Sequence, residues 1–150
     1  MPAFAQAQET KIGYVSPQRI LRESNLVKLA SAKLEQEFSR RSKEMQDMDA
    51  RLKSMSEKFD KDAATLSESE RMKRQRELVE LDKDFQRKQR EFREDLNQRQ
   101  NEEHAMILER GNKVIKQIAE SEKYDIILQE AIYWSPRIDI TDKVLKALNK

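Results

Sequence analysis

The sequence has no cysteine, three prolines and two glycines in 150 residues, one histidine, and only 6% aromatic residues. Without cysteine there is neither a disulfide framework nor a cysteine metal site. Glycine occurs only at Gly13 and Gly111, so no glycine-rich loop can cradle a phosphate. No apolar run approaches the ~18 residues of a membrane span. Charge of a single sign is missing as well. Lys+Arg 30 against Asp+Glu 28 leaves a net charge of +2, which gives no one-sided footprint for nucleic acid.

Charge of both signs is abundant. The chain is 39% charged and 37% hydrophobic, with a mean hydropathy of -0.97. That is too polar for a thick core and suits long solvated helices. From Leu26 to about Glu122 there is no proline and one glycine, Gly111. Proline costs about 3 kcal/mol and glycine about 1 kcal/mol inside a helix, so residues 26–122 are expected to be helical. One rod would span roughly 145 Å at about 1.5 Å per residue, so a break is expected. Ser67 followed by Glu70 has the capping-box spacing, in which the hydroxyl and the carboxylate each accept from the other residue's amide. The pattern predicts an antiparallel helical hairpin with its tip near 65–69 and arms of roughly 60 Å and 80 Å.

The first arm carries a seam. Phe38, Met45, Leu52, Phe59 and Leu66 recur every seven residues, with Val27, Leu34, Met48 and Met55 in the companion row. Two helices can pack along such a row. The methionines read either as hairpin core or as an adaptable apolar surface, because Met repacks easily. The returning arm is patchier. Leu78, Leu81, Phe85, Phe92 and Leu96 are interrupted by Lys88, Gln89, Arg99 and Glu103, and the face recovers from Met106 through Ile118.

The flanks differ in chemistry. Residues 1–10 are expected to be disordered. Ala3-Phe4-Ala5 and Ala5-Gln6-Ala7 fit a signal-peptidase site, but the basic and apolar regions of a signal are missing, so a trimmed export signal and a bland start both remain open. Lys11–Val15 reads as a short strand, and Ser16-Pro17 as the cap and first residue of a short helix through Arg22. Tyr124–Gln129 and Ala131–Trp134 read as a β-hairpin turning near Glu130. A last helix follows, capped by Asp139 or Thr141, with Val144, Leu145 and Leu148 on its apolar face.

No catalytic constellation is present, and no enzyme is expected. His104 lies between charges in a helix and reads as a surface residue. The carboxylates fall on exposed faces, without the burial that tunes a catalytic pKa. Trp134 reads as filling of a β-core or a subunit interface. No metal or cofactor is expected.

KIGYVSPQRIL near the start, the charged hairpin, YDIILQEAIYW and the closing DITDKVLKALNK resemble the Skp/OmpH family of periplasmic chaperones over about residues 10 to 150. The terminal segments carry the specificity of that likeness. The resemblance implies a mainly α fold with a small β body formed by residues 11–25 and 123–150. From this β-sheet trimerisation domain the helical hairpin, or tentacle, of residues 26–122 projects. It also implies export, which favours the trimmed-signal reading of the start. The implied function is that of an ATP-independent holdase. Such a chaperone shelters unfolded outer-membrane β-barrel proteins in a cavity between the arms of a homotrimer.

Ile12, Val15, Ile126, Leu128, Ile132 and Trp134 are expected to build the body and its subunit contacts. Short strands and helices alone bury too little apolar surface and leave sheet edges unpaired, and association cures both. Met45, Met48, Met55 and Phe59 are expected to offer clients apolar surface, and Lys88, Arg90 and Arg99 to offer charge. The basic cluster that the family suggests for lipopolysaccharide falls on Lys88, Gln98 and Arg99, where Gln98 is not basic. Two other classes share much of this composition: a structural coiled-coil spacer or adaptor, and a prefoldin-like chaperone subunit. The spacer needs no β segments bracketing its helices, and the prefoldin-like subunit places its hairpins between terminal helices.

Overall fold

The computed structural model describes residues 8–150. The reading of the first residues as an export remnant falls largely on residues 1–7, which lie outside the described residues. The elements in order are β1 (Ile12–Tyr14), α1 (Pro17–Glu23), α2 (Asn25–Asp62), α3 (Glu68–Ser121), β2 (Ile126–Leu128), a 3₁₀ turn (Pro136–Ile138) and α4 (Thr141–Leu148). The fold is thus mainly α, with a long helical hairpin and a two-stranded sheet. The chain divides into two compact units, one formed by Met1–Ser31 with Asn101–Lys150 and the other by Ala32–Gln100.

The first unit holds the sheet. β1 and β2 run parallel, pairing Ile12 with Ile126, Gly13 with Ile127 and Tyr14 with Leu128. A parallel pair needs a long crossover, and here all of α1, α2 and α3 separate the strands. Gly13 allows a close approach: a Cβ there would stand 3.1 Å from the Tyr124 ring, a tight contact. The other edge of β1 is used too, since Tyr14 forms a parallel bridge with Asp139 and its carbonyl accepts from the Ile140 amide at 2.9 Å.

The expected hairpin of 124–129 with 131–134 does not form. Residues 131–134 are not a strand, and β2 pairs with β1 instead. The segment around Glu130 has no glycine or asparagine to supply the positive φ of a tight hairpin turn. Trp134 turns back, stacking on Tyr14 with ring centroids 3.8 Å apart.

Local chemistry explains the short helices. Pro17 opens α1, and the Ser16 hydroxyl accepts from the Arg19 amide at 3.2 Å. α4 begins at Thr141 with Ile140 in the cap position, so neither expected residue is the formal cap. Asp139 still works one residue upstream, its carboxylate accepting from the Thr141 amide at 2.9 Å. Ile20, Val15, Ile140, Val144 and Leu145 pack with Ala30, Ile107 and Ile115 as one core. Each large aliphatic side chain buried there contributes on the order of 1.5–3 kcal/mol.

In the second unit α2 and α3 run antiparallel around a turn at 63–67. The Ser67 hydroxyl accepts from the Glu70 amide at 3.2 Å. Arg71 donates to the Ala63 carbonyl at 2.7 Å, satisfying an orphan acceptor at the end of α2, and Arg74 pairs with Asp62 at 2.9 Å.

Candidate functional site

The paired helices of the second unit are tight in one stretch and loose in the rest. Leu34 and Phe38 are its buried apolar side chains, at 8% and 6% exposure. Phe38 meets Phe92 edge to face, and Arg41 and Arg99 reach across to Asp95 and Glu37 at 2.8 Å and 3.0 Å. Beyond this rung the seam is only half-covered. Met45, Met48, Leu52, Met55 and Phe59 on α2 are half-buried, as are Leu78, Leu81 and Phe85 on α3. Charged side chains stand beside this apolar row, among them Asp49, Lys53 and Asp82. Between the helices lies an open groove of about 460 Å³ lined by Leu52, Leu78, Val79 and Phe85, with Asp49 and Asp82 beside them.

The residues singled out for charge are not equivalent. Arg90 is exposed, Lys88 is half-buried, and Arg99 makes a two-point contact with Glu37. Arg99 therefore already shares its charge with a carboxylate. Val79 and Asp82, which line the groove, were not among the expected residues. Val79 lies one position from Leu78, off the strict period that marks the apolar row.

The second surface belongs to the first unit. Ile12 and Ile126 are 39% and 46% exposed, and Ile132 and Tyr133 stand out fully. Leu128 and Trp134 are half-buried. Val15 has no exposed surface, so in the single chain it is core. The loop around Ile132 is held at its end by a hydrogen-bonded knot. The Trp134 indole donates to Asp139 at 3.2 Å, the Thr141 hydroxyl donates to Asp139 at 2.5 Å, and the Ser16 amide donates to Thr141 at 3.0 Å. Burial alone would push the Asp139 carboxyl up, but the bonds from Thr141 and Trp134 outweigh it and hold it below the usual range.

Nearby, Arg19 donates to both Glu23 and Asp142. The Arg19 contact, helped by Arg22, holds the Glu23 carboxyl down at about 2. Among the described residues, no group of three or more His, Asp or Glu side chains could hold a metal ion, and no helix is long and apolar enough to cross a membrane.

A family model described as "Outer membrane protein (OmpH-like)" matches residues 11–148. The chain belongs to the OmpH family. The match spans both units, from β1 to the end of α4. Among curated relatives of this OmpH-family chain, the chaperone protein Skp of Photorhabdus luminescens is 34% identical over 146 residues, 96% of this chain and 88% of that one. Skp of Yersinia enterocolitica is 31% identical over 148 residues, 97% and 90% of the two chains. These relatives are named as chaperones, and the family is not one of enzymes. In fold, an OmpH-like crystal structure from Caulobacter crescentus superposes with a TM-score of 0.81 at 18% identity, covering 99% of this chain and 89% of that one.

Proposed function

We propose that this protein is a periplasmic holdase that binds unfolded outer-membrane β-barrel proteins without ATP and keeps them from aggregating. The observation that carries the reading is the half-covered seam of the second unit. A spacer gains nothing from leaving Met45, Met48, Met55 and Phe59 partly open, whereas a chaperone needs apolar surface that many sequences can share. Methionine suits that use, since its unbranched thioether side chain repacks against varied partners. Lys88, Arg90 and Arg99 add charge for acidic side chains of the client, and Lys88 and Arg99 are the candidates for a lipopolysaccharide phosphate.

The working form in this reading is a homotrimer joined through the first unit, with clients held in a cavity between the arms. Exposed Ile12 and Ile126 on so small a sheet, with Ile132 and Tyr133 exposed in the segment after it, support association, because apolar surface and a free strand edge are both removed by it. Each exposed ion pair with a client contributes about 0–1 kcal/mol, so holding must come from many contacts together.

The test is light scattering of an unfolded β-barrel protein diluted from denaturant, with and without the full chain. Suppressed aggregation is expected, with no effect of added ATP. Replacing Lys88, Arg90 and Arg99 together by alanine should lower client affinity and flatten its salt dependence while the oligomer persists. Aggregation at the same rate with and without the chain would remove the holdase reading and leave a spacer.

A further inference from the structure

We propose that the groove between Leu52 and Phe85 is a docking site for one large apolar side chain of an unfolded polypeptide, flanked in that polypeptide by lysine or arginine. The proposal rests on the holdase reading and gives it a sequence preference. The groove, of about 460 Å³, has the size for a single aromatic or leucine side chain with its neighbouring backbone. Its floor is apolar: Leu52, Leu78 and Phe85 are half-buried, and Val79 is 46% exposed at the rim.

The rim is acidic. Asp49 and Asp82 stand against one lysine, Lys53, which already pairs with Asp49 at 3.0 Å. Asp82 accepts from the neutral Gln86 amide at 3.0 Å, a contact that leaves its charge uncompensated. A polypeptide cation beside the apolar anchor would compensate it, and a polypeptide carboxylate there would be repelled. Strands of membrane β-barrels alternate apolar and polar residues, so an apolar anchor has a polar neighbour at each side. The groove would therefore select, among such segments, those whose polar neighbour is basic.

The experiment uses the full chain and two short fluorescein-labelled peptides of alternating leucine and polar residues. The polar positions hold arginine in one peptide and glutamate in the other. Anisotropy titrations are run at low salt, where screening is weakest. The arginine peptide should bind about fivefold tighter, the scale of one exposed ion pair. Asp82→Lys should reverse that order, and Val79→Gln should weaken the arginine peptide's apolar anchoring while helicity by circular dichroism stays unchanged. Equal affinities, or a preference that survives Asp82→Lys, would overturn the proposal. So would a smaller assembly for Val79→Gln in sedimentation, which would assign the groove to contacts between copies of this chain. A wild-type chain that fails to suppress barrel-protein aggregation would remove the holdase reading instead, and the peptide comparison would still decide the groove.

Discussion

The Phe38 ring stands at 90° to the Phe92 ring, with centroids 5.5 Å apart. Arg41 lies 5.5 Å from the first ring and 5.7 Å from the second, while pairing with Asp95 at 2.8 Å. One guanidinium thus serves two aromatic faces and one carboxylate, and with Leu34 the rung is the dry part of the second unit. Phe38→Ala should cost about 3 kcal/mol, the low end for truncating a buried phenylalanine. Amide hydrogen exchange checks this. Protection around Phe38 and Phe92 should fall in the variant while the core around Val15 and Val144 keeps its own.

Ile126 offers a test of the proposed assembly that spares the fold. At 46% exposure it can carry a carboxylate in the single chain without stranding it. Inside a subunit interface the same carboxylate would be buried without a partner, which is costly. Ile126→Asp is expected to keep its helical circular dichroism and to sediment as a smaller species than wild type. A wild-type sedimentation coefficient would place the subunit contacts elsewhere.

Acid should weaken the ion pairs that Glu23 makes within α1. Glu23 titrates at about 2 in the folded chain against an ordinary 4.5, because Arg19 and Arg22 hold it ionised. Its contribution is therefore fully present above the ordinary value and is lost as pH falls through the window between about 4.5 and about 2. Glu23→Gln should melt below wild type at neutral pH, and the two melting curves should converge near the bottom of that window. Thermal melts across the range measure the convergence; a gap of constant size would disconnect Glu23 from acid stability.

Lys123 has φ 58, the left-handed conformation, in the turn that closes α3. The Tyr124 amide reaches back to the Ala119 carbonyl at 2.9 Å, a helix-ending bond that requires this conformation. A side chain held left-handed costs about 1–2 kcal/mol relative to glycine, part of which glycine loses through its more flexible unfolded state. Lys123→Gly is expected to stabilise the protein by up to about 1 kcal/mol. Chemical denaturation would show a higher midpoint; a lower one would mean that the lysine side chain holds the turn in some other way.

What the amino-acid order determined is what neighbouring residues can settle between themselves. The scarcity of proline and glycine made the two long helices, and Ser16-Pro17 and the Ser67–Glu70 pair set helix starts within a few residues of chain. The tertiary structure decided what distant residues do to each other. Ile126-Ile127-Leu128 has strand propensity in any reading, but its partner is β1, and the intended mate at 131–134 is left out with Ile132 and Tyr133 in the open. Propensity says that a segment is extended and does not say beside what; in the folded chain β1 lies between β2 on one edge and the Asp139 bridge on the other, with the Tyr124 ring close over Gly13. The same holds for the groove. The apolar period marks Leu52, Leu78 and Phe85, but only the packing of one helix on the other leaves a space among them, with Val79 and Asp82 at its rim.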